Sequence, residues 1–285
     1  MWQIENLVKH VGMEAEQYHS LEGYSSTFVK KVCTHGIVQA MHEQRKPKSA
    51  TSAMQRGTMF HDLILEGKRI QNPHHTYSLY DGIKRGKKWD EHVAEAKRCG
   101  KIPCNTKEFM DRHDDYSRQD EIIEAVHKDA KAALSKTTHR EVSFTFDWVL
   151  GEEYKLPGKA RLDAWNENTG QIDDLKTMSE PPTARNMQRA IDKFYYHVQA
   201  AYYSKVSEAA CGNSEFNWIF ITNFWPYDSG YVECNYDAYV SGVVQIYYAL
   251  DQIKNYEEGE YVSAAPRRKI ALGCSKFATL DFETI

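Results

Sequence analysis

The stretch that most constrains this chain is Lys159–Thr177, which reads KARLDAWNENTGQIDDLKT. Apolar and polar residues alternate on both sides of Asn168-Thr169, a turn-prone pair followed by Gly170, and this pattern predicts a β-hairpin. With the turn centred between the residues of that pair, Asp163 lies directly opposite Asp174, and facing Cβ atoms are then about 4.5–5.5 Å apart. The sequence therefore predicts two carboxylates that meet across neighbouring strands.

The period of a β-strand places Lys176 on the same face as Asp174, beside the facing carboxylates. Two carboxylates this close repel each other, so one becomes protonated unless a cation lies between them. A divalent metal ion satisfies both, and Lys176 would then face the anion that the metal binds. The alternative is a solvated hairpin face with an ordinary ion pair, and the pattern by itself leaves that alternative open.

Composition and charge limit the classes of protein that fit. The chain has 285 residues, 41% of them hydrophobic, and a net charge of −4, so it can form a sizeable core but does not bind nucleic acid with its whole surface. Basic residues cluster locally instead, in three runs: Lys84–Lys88, Arg45–Lys48 and Arg267–Lys269. These runs are compatible with a DNA-facing groove and equally with solvated surfaces.

Cysteines and apolar runs indicate the compartment. The six cysteines include no C-x-x-C pair, so we expect reduced structural thiols and no zinc centre. No apolar run approaches membrane-spanning length, and the first ten residues have no apolar segment, so we expect an intracellular protein.

Periodicity predicts the order of elements. A helix over 24–42, with N-cap candidates at Ser25–Thr27, is followed by a second helix over 52–66 that ends at Gly67. The polar segment 68–140 reads as a helical insertion or peripheral segment, with a short strand at Tyr77–Asp81. Then follow three antiparallel strands from Glu141, a long helix from Thr183 to about Ala210, strands over 216–224 and 231–235, and a helix over 238–256. We therefore predict one α/β (α+β) domain over 1–285, with helices packed on a mixed central sheet.

Two of these helices carry polar residues that could serve a site. His61 shares a face with Gly57 and Leu65, beside the apolar stripe of its helix, and Gly57 would let another backbone approach closely. The long helix presents a common face at helical spacing, formed by Asp192, Tyr196, Gln199 and Tyr203. Both faces could also be ordinary packing surfaces.

These residues resemble the PD-(D/E)xK nuclease superfamily, whose signature is an Asp on one strand and (Asp/Glu)-x-Lys on the next, inside an αβββαβ core. Here the signature corresponds to Asp163 followed by Asp174-Leu175-Lys176. The segment RGTMFHDLILEG (56–67) resembles the Gly-x-x-x-His helix of RecB- and RecE-type nucleases, and Gln199-Ala-Ala-Tyr-Tyr203 resembles their Q-x-x-x-Y motif. YSSTFVKK (24–31) is similar to a helix of the exodeoxyribonuclease VIII (RecE) nuclease domain.

The resemblance implies a restriction-endonuclease-like core and a Mg²⁺-dependent deoxyribonuclease in which Mn²⁺ substitutes. It implies metal ligands at His61, Asp163, Asp174 and the carbonyl of Leu175. Asp163, Asp174 and Lys176 are also the implied catalytic residues, with Lys176 orienting or deprotonating the attacking water. Gln199 and Tyr203 are expected to position the phosphate backbone. Glu141 could be a further acid near the metal or a surface carboxylate, and Asp173, on the opposite face, should be dispensable.

The same resemblance implies an exonuclease that degrades linear double-stranded DNA 5′→3′. Such relatives form homo-oligomeric rings around DNA and act in recombination with a single-strand annealing protein, often in phages or prophages, in the cytoplasm of a bacterial host. Two alternatives stay open: a single-strand-specific or endonucleolytic enzyme of the same fold, and a non-catalytic DNA-binding module.

Overall fold

A computed structural model of the chain describes residues 2–45, 51–151 and 154–260. Within these ranges the strands are β1 (Gln3–His10), β2 (Tyr24–Ser25), β3 (Tyr77–Tyr80), β4 (Ile102–Asn105), β5 (His139–Leu150), β6 (Tyr154–Asn166), β7 (Gln171–Met178), β8 (Glu215–Thr222) and β9 (Ser229–Glu233). The helices are α1 (Ala15–Ser20), α2 (Ser26–His35), α3 (Ile37–Gln44), α4 (Ser52–Ile64), α5 (Pro73–Thr76), α6 (Lys87–Arg98), α7 (Thr106–Ser117), α8 (Gln119–Ala125), α9 (Lys128–Leu134), α10 (Ala184–Lys193), α11 (Tyr196–Cys211) and α12 (Tyr236–Glu257).

A seven-stranded sheet forms the centre of the molecule, in the order β1-β5-β6-β7-β8-β9, with β2 pairing β6. Strands β7 and β8 run parallel, as do β2 and β6, and the remaining pairs in this sheet are antiparallel. Strands β3 and β4 form a separate parallel pair. The central sheet is therefore mixed, as the sequence predicts.

Helices cover both faces of this sheet. On one face, α2, α3, α11 and α12 pack on the large strand residues Phe144, Trp165 and Trp218. On the other face, α4, α8 and α9 pack on Ala164, Leu175, Ile219 and Ile221. Strand β7 contributes Ile172 to the first layer and Leu175 to the second, because successive side chains of a strand point to opposite faces.

Local capping fixes the two helices nearest the site. Ser25 Oγ accepts from the backbone N–H of Phe28 (3.4 Å) at the start of α2, and Thr51 Oγ1 accepts from that of Met54 (3.2 Å) at the start of α4. Helix α4 packs on β7, where a Cβ added at Gly57 would lie 3.7 Å from Thr177 Oγ1, an ordinary contact. The expected close backbone approach at Gly57 is therefore wrong, since packing does not require glycine there.

Several elements differ from the prediction. The first helix is divided at Gly36, whose φ of 79° interrupts helical geometry. The predicted long helix is divided into α10 and α11, because Phe194 and Tyr195 leave helical geometry and Tyr195 adopts φ 53°. In the segment 68–140, apolar spacing predicts one helix over Phe109–Leu134, but the structure has the three shorter helices α7, α8 and α9 there, and β4 is an additional strand. The N-terminal strand β1 is also additional, because a register irregularity between Glu5 and Val8 disturbs its alternation.

Some features of the sequence lie outside the described residues. These include Lys46, Lys48, the run Arg267–Lys269 and the rest of the stretch from 261 onward. Among the helices of the described ranges, none is long and apolar enough to cross a membrane.

Candidate active site

The β6–β7 hairpin has the predicted register but is paired only near its turn. The pairs are Ala164↔Asp173, Trp165↔Ile172 and Asn166↔Gln171, and the next step in this register brings Asp163 opposite Asp174. Gly170 has φ 76°, and an added Cβ would lie 2.3 Å from the carbonyl oxygen of Asn213, so this turn position requires glycine.

Beyond Ala164 the ladder between β6 and β7 stops, while β7 stays paired with β8 as far as Met178. The backbone N–H of Leu175 instead donates to Asp163 Oδ2 (2.9 Å). His61 Nε2 donates to the carbonyl of the same residue, Leu175 (2.9 Å). The hairpin thus opens at its two aspartates, and α4 brings an imidazole into the opening.

His61, Glu141 and Asp163 form a compact group of potential metal ligands, with one ligand atom from each lying within 4.8 Å of the others. His61 Nδ1 lies 3.5 Å from Asp163 Oδ2 and 3.6 Å from Glu141 Oε1. Glu141 sits between the register pairs Arg140↔Ala164 and Val142↔Leu162, facing Asp163. Its φ of 51° is uncommon for a residue with a side chain, and local strain of this kind accumulates at functional sites.

Glu141 is held from its other side by Arg161. The guanidinium Nε donates to Glu141 Oε2 (2.7 Å), and Nη1 donates to the carbonyl of Met13 (2.7 Å) and to Ser143 Oγ (3.0 Å). Burial tends to raise the pKa of Glu141, but the nearby His61 imidazole and the hydrogen bond from Arg161 outweigh burial and lower it. Glu141 therefore stays an ionised ligand candidate.

A second group gathers around Asp174 on the α2 and α11 side. Lys176 Nζ forms an ion pair with the fully buried Asp174 carboxylate, and Gln199 Nε2 donates to Asp174 Oδ1 (3.0 Å). Lys30 Nζ donates to Gln199 Oε1 (3.3 Å). The ring of Tyr196 lies 5.1 Å from Lys176 Nζ and 5.4 Å from Lys30 Nζ. Two ammonium groups therefore flank one buried carboxylate.

Burial and mutual interactions shift the pKa values of the central groups. Burial raises the pKa of Asp163 to about 6, with the charge of Asp174 adding to the effect and that of His61 opposing it. Burial lowers the pKa of His61, but the carboxylates of Asp163 and Glu141 outweigh it and raise that pKa to about 9. Burial likewise lowers the pKa of Lys176, yet Asp174 and Asp163 raise it above its usual range.

The donor set fits a hard divalent cation. It comprises two carboxylates, one imidazole and the Leu175 carbonyl, and such oxygen-rich sites suit Mg²⁺ or Mn²⁺. The raised pKa of His61 favours a positive charge beside the carboxylates of Asp163 and Glu141.

The structure brings most of the sequence-predicted site residues together. His61, Asp163 and the Leu175 carbonyl meet with Glu141, whereas the carboxylate of Asp174 contacts Lys176 and Gln199. Their roles in metal binding and catalysis stay predictions.

Tyr203 and Asp192 are placed differently from that group. Tyr203 is buried, with its ring 6.4 Å from those of Tyr202 and Phe216, and burial raises its pKa well above the usual range. Asp192 belongs to α10 and accepts from Gln188 Nε2 (3.0 Å), so it does not share the face of Gln199. The phosphate-positioning role of Tyr203 stays a prediction that its burial does not favour.

The residues predicted from the sequence do not include Lys30 or Arg161, and the sequence leaves the role of Glu141 open. Lys30 lies beside the buried Val29 on α2, and a cation adjoining an apolar helix face is a signal that could have been used. Arg161 and Glu141 flank the aspartate signature on paired strands, and the strand alternation places both on the same sheet face as Asp163.

The mixed sheet is covered on both faces and opens over Asp163 and Asp174-x-Lys176, where α4 supplies His61. This arrangement defines the class of PD-(D/E)xK-type nuclease folds. The particular family follows from the sequence: residues 21–265 match the family described as DUF3799, a PDDEXK-like domain of unknown function. The chain belongs to this family.

A similar solved structure is that of a protein from Eubacterium rectale described as a presumed exonuclease. The TM-score is 0.55 at 13% sequence identity, and the similarity covers 93% of this chain and 97% of the other. This likeness shows the fold. The comparison with curated proteins finds no match. The family and the fold together support a nuclease.

Proposed function

We propose that this protein is a Mg²⁺-dependent deoxyribonuclease that degrades linear double-stranded DNA as a 5′→3′ exonuclease, with Mn²⁺ as a substitute. The observation that supports this most directly is the convergence of His61, Glu141 and Asp163 on the opening of the hairpin. Lys176 stands beside Asp174 at the same opening, so a cation and a phosphate could be held together there.

His61, Asp163, Glu141 and the Leu175 carbonyl would hold the metal, with Asp174 beside them. A divalent ion held there would supply a lowered pKa for an attacking water and stabilisation of charge on the scissile phosphate. The chain's part is to fix these ligands: the N–H of Leu175 orients Asp163, and Arg161 orients Glu141.

Lys176 acts in this scheme as a fixed positive charge. Its neighbours Asp174 and Asp163 keep its pKa high despite burial, so the ammonium stabilises the attacking oxygen or the phosphate and does not itself take up a proton. Gln199 holds Asp174 in place and links it to Lys30. Lys30 would contact the phosphate backbone, which orients a strand without reading its sequence.

We further propose that the protein acts in recombination in the bacterial cytoplasm, as a homo-oligomeric ring with a single-strand annealing protein as partner. A ring suits a chain with a net charge of −4, because only its channel must attract phosphates. Origin in a phage or prophage belongs to the same proposal.

The test is digestion of linear duplex DNA labelled at either end, with Mg²⁺, with Mn²⁺ and with EDTA. We expect loss of the 5′ label first, only with metal, and no cutting of circular duplex. Asp163→Ala and Lys176→Ala should abolish cleavage while both proteins stay folded. Full activity in either folded variant contradicts the proposed site.

Other substrates separate the alternatives. Cutting of circular duplex would replace the exonuclease with an endonuclease, and digestion confined to single strands would replace the duplex substrate. DNA binding without cleavage in either metal, together with calorimetry that detects no metal binding, would indicate a non-catalytic DNA-binding module.

A further inference from the structure

Helix α10 presents a charged, exposed face next to the candidate active site. A shallow groove on it is lined by Arg185, Gln188, Arg189, Asp192 and Lys193. The three cations of this face recur every four residues, so they lie in one row along the helix. We call this row, together with Phe194 at its end, the α10 track.

Charge pairing leaves two cations of the α10 track uncompensated. Arg189 is in an ion pair with Glu180, and Asp192 accepts a hydrogen bond from Gln188. Arg185 and Lys193 have no carboxylate partner within the described ranges. Arg185, Arg189 and Lys193 stand against the two carboxylates Glu180 and Asp192, so the face keeps a net positive charge of one. On an acidic protein, such a face with two cations outside ion pairs is suited to a polyanion.

An exposed aromatic ring joins the α10 track to the site. Phe194 is 50% exposed, and Lys193 Nζ lies 5.1 Å from its ring. The chain turns at Tyr195, which has φ 53°, and the rings of Phe194 and Tyr196 then lie 5.5 Å apart. Tyr196 is the residue whose ring faces Lys176 at 5.1 Å. A series of contacts therefore leads from Lys193 on the surface of α10 through Phe194 and Tyr196 to Lys176.

We propose that the α10 track binds a single-stranded segment of the DNA strand that enters the active site. Arg185 and Lys193 contact phosphates, and Phe194 stacks on a base. Arg185 and Lys193 are eight residues apart, which is about 12 Å along a helix, so they can contact different phosphates of one strand. This inference rests on the proposed nuclease function and adds the form in which the substrate is held.

A single strand fits the α10 track better than a duplex does. Phe194 is half exposed, and exposed aromatic rings of this kind stack on unpaired bases of any sequence. Inside a duplex, both faces of each base are already stacked on neighbouring pairs, so the ring would find no partner there. The cations alone would serve either form, which makes Phe194 the residue that distinguishes them.

The first experiment measures binding of a fluorescent oligothymidylate to the full chain in EDTA, at a series of salt concentrations. Removing one cation that neutralises a phosphate of a single strand reduces the slope of log K against log salt by about 0.7. The double variant Arg185→Gln/Lys193→Gln should therefore lower the slope by about 1.4. The control Lys254→Gln/Lys205→Gln also removes two positive charges, each from an ion pair away from α10, and should leave the slope unchanged.

The second experiment tests stacking. Phe194→Ala should weaken oligothymidylate binding by about fivefold to a hundredfold, whereas Phe194→Trp should keep it. Tyr236 is 78% exposed on α12, so Tyr236→Ala removes an exposed ring far along the chain and should have no effect. Because Phe194 is exposed, all variants should melt within a few degrees of the wild type.

The outcomes separate this inference from the proposed function. Wild-type oligothymidylate binding by the α10 variants, in a protein that does hydrolyse DNA, overturns the α10 track alone. Reduced binding by those variants in a protein without nuclease activity leaves the α10 track standing and overturns the proposed function. If Phe194→Ala weakens binding of blunt duplex as much as that of the oligothymidylate, the single-strand assignment is wrong.

Discussion

Asp163 and Asp173 lie on opposite faces of the same hairpin, and they differ in their neighbours more than in their burial. Both side chains are buried, and burial raises the pKa of both carboxyls. Asp163 faces ionisable groups: His61, Glu141, Asp174 and Lys176. Asp173 instead accepts hydrogen bonds from the Tyr231 hydroxyl (2.6 Å) and from Gln171 Nε2 (3.1 Å).

The comparison shows that a buried acid with a raised pKa does not by itself mark a site. Hydrogen bonds from the neutral side chains of Tyr231 and Gln171 satisfy the carboxylate of Asp173, so this side chain serves to stabilise the fold. Asp163 instead faces groups that can gain or lose a proton or be displaced by a cation, so its charge changes with them. A carboxylate that binds a metal needs such neighbours, because the ion binds its ionised form.

The largest expected effect comes from replacing the two aspartates in parallel. Asp163→Asn should reduce DNA hydrolysis by at least about 10³-fold. Loss of a residue that only orients a metal ligand costs about 10–100-fold, and loss of a direct ligand should cost more. The amide oxygen still accepts from Leu175 N–H, so the fold should survive. Asp173→Asn should keep activity per folded molecule but lower stability by about 1–3 kcal/mol, since one donor loses its charged partner.

Rates per folded molecule and urea unfolding check both halves of this prediction. Equal loss of hydrolysis in the two folded variants would break the comparison, because the two faces of the hairpin would then share one function.

The next effect tests a structural charge on α4, the helix that carries His61. Arg56 donates to the fully buried Asp115 through Nε (2.7 Å) and Nη2 (2.6 Å), and Tyr227 donates to the same carboxylate (3.1 Å). Arg56→Met leaves that carboxylate without its cation and should cost about 3–5 kcal/mol of unfolding free energy. The double variant Arg56→Met/Asp115→Leu should recover most of the loss.

Denaturant unfolding measures these free energies, and hydrolysis by the remaining folded molecules should stay normal. A loss of activity that exceeds the loss of folded protein would mean that this pair belongs to the site rather than to the scaffold.

The third prediction concerns the α2 side of the sheet, where Lys30 contacts Gln199. Burial and the nearby Lys176 lower the pKa of Lys30 to about 8, so its ammonium is charged below that pH and neutral above it. DNA binding in EDTA should therefore weaken by about tenfold as the pH rises from 7 to 9, the loss expected for one charged hydrogen bond.

Two substitutions isolate this titration. Lys30→Arg should keep tight binding at pH 9, and Lys30→Met should bind weakly at both values. His61, with a pKa of about 9, titrates in the same range in every variant, so the difference between variants reports Lys30. An unchanged pH profile in Lys30→Met would remove Lys30 from the phosphate contacts.

The hairpin and the helix of His61 were predictable because their signals are local. Alternation around Asn168-Thr169 sets the register that brings Asp163 opposite Asp174, and a 3.6-residue period places His61 beside a buried stripe. The element order follows from the same two periods. These parts of the fold need no information from distant residues.

What could not be predicted depends on tertiary packing. At the opening of the hairpin, His61 on α4 contacts the carbonyl of Leu175, which is far away in the chain. At the break between α10 and α11, Tyr195 adopts a left-handed backbone conformation, and the sequence has no glycine there that would indicate it. Strand alternation places Glu141 on the face of Asp163, but its left-handed backbone and its approach to His61 are visible only in the structure. Lys30 joins the site from a helix more than a hundred residues away in the chain.

The smallest effect is expected for an exposed ion pair in the peripheral segment. Lys84 Nζ lies 2.9 Å from both carboxylate oxygens of Glu108, with side chains 36% and 19% exposed. A double-mutant cycle of Lys84→Met and Glu108→Gln should give a coupling of about 0.2–1 kcal/mol that disappears in high salt, because solvent screens such pairs. The Gln oxygen can still accept from the N–H of Asn105, as Glu108 does, so the cycle isolates the charge. The two ion pairs have similar distances, 2.6–2.7 Å for Arg56–Asp115 and 2.9 Å for Lys84–Glu108, but the Asp115 carboxylate is fully buried and the Lys84–Glu108 pair is partly exposed. A coupling above about 2 kcal/mol would therefore mean that solvent exposure does not separate structural charges from surface ones in this molecule.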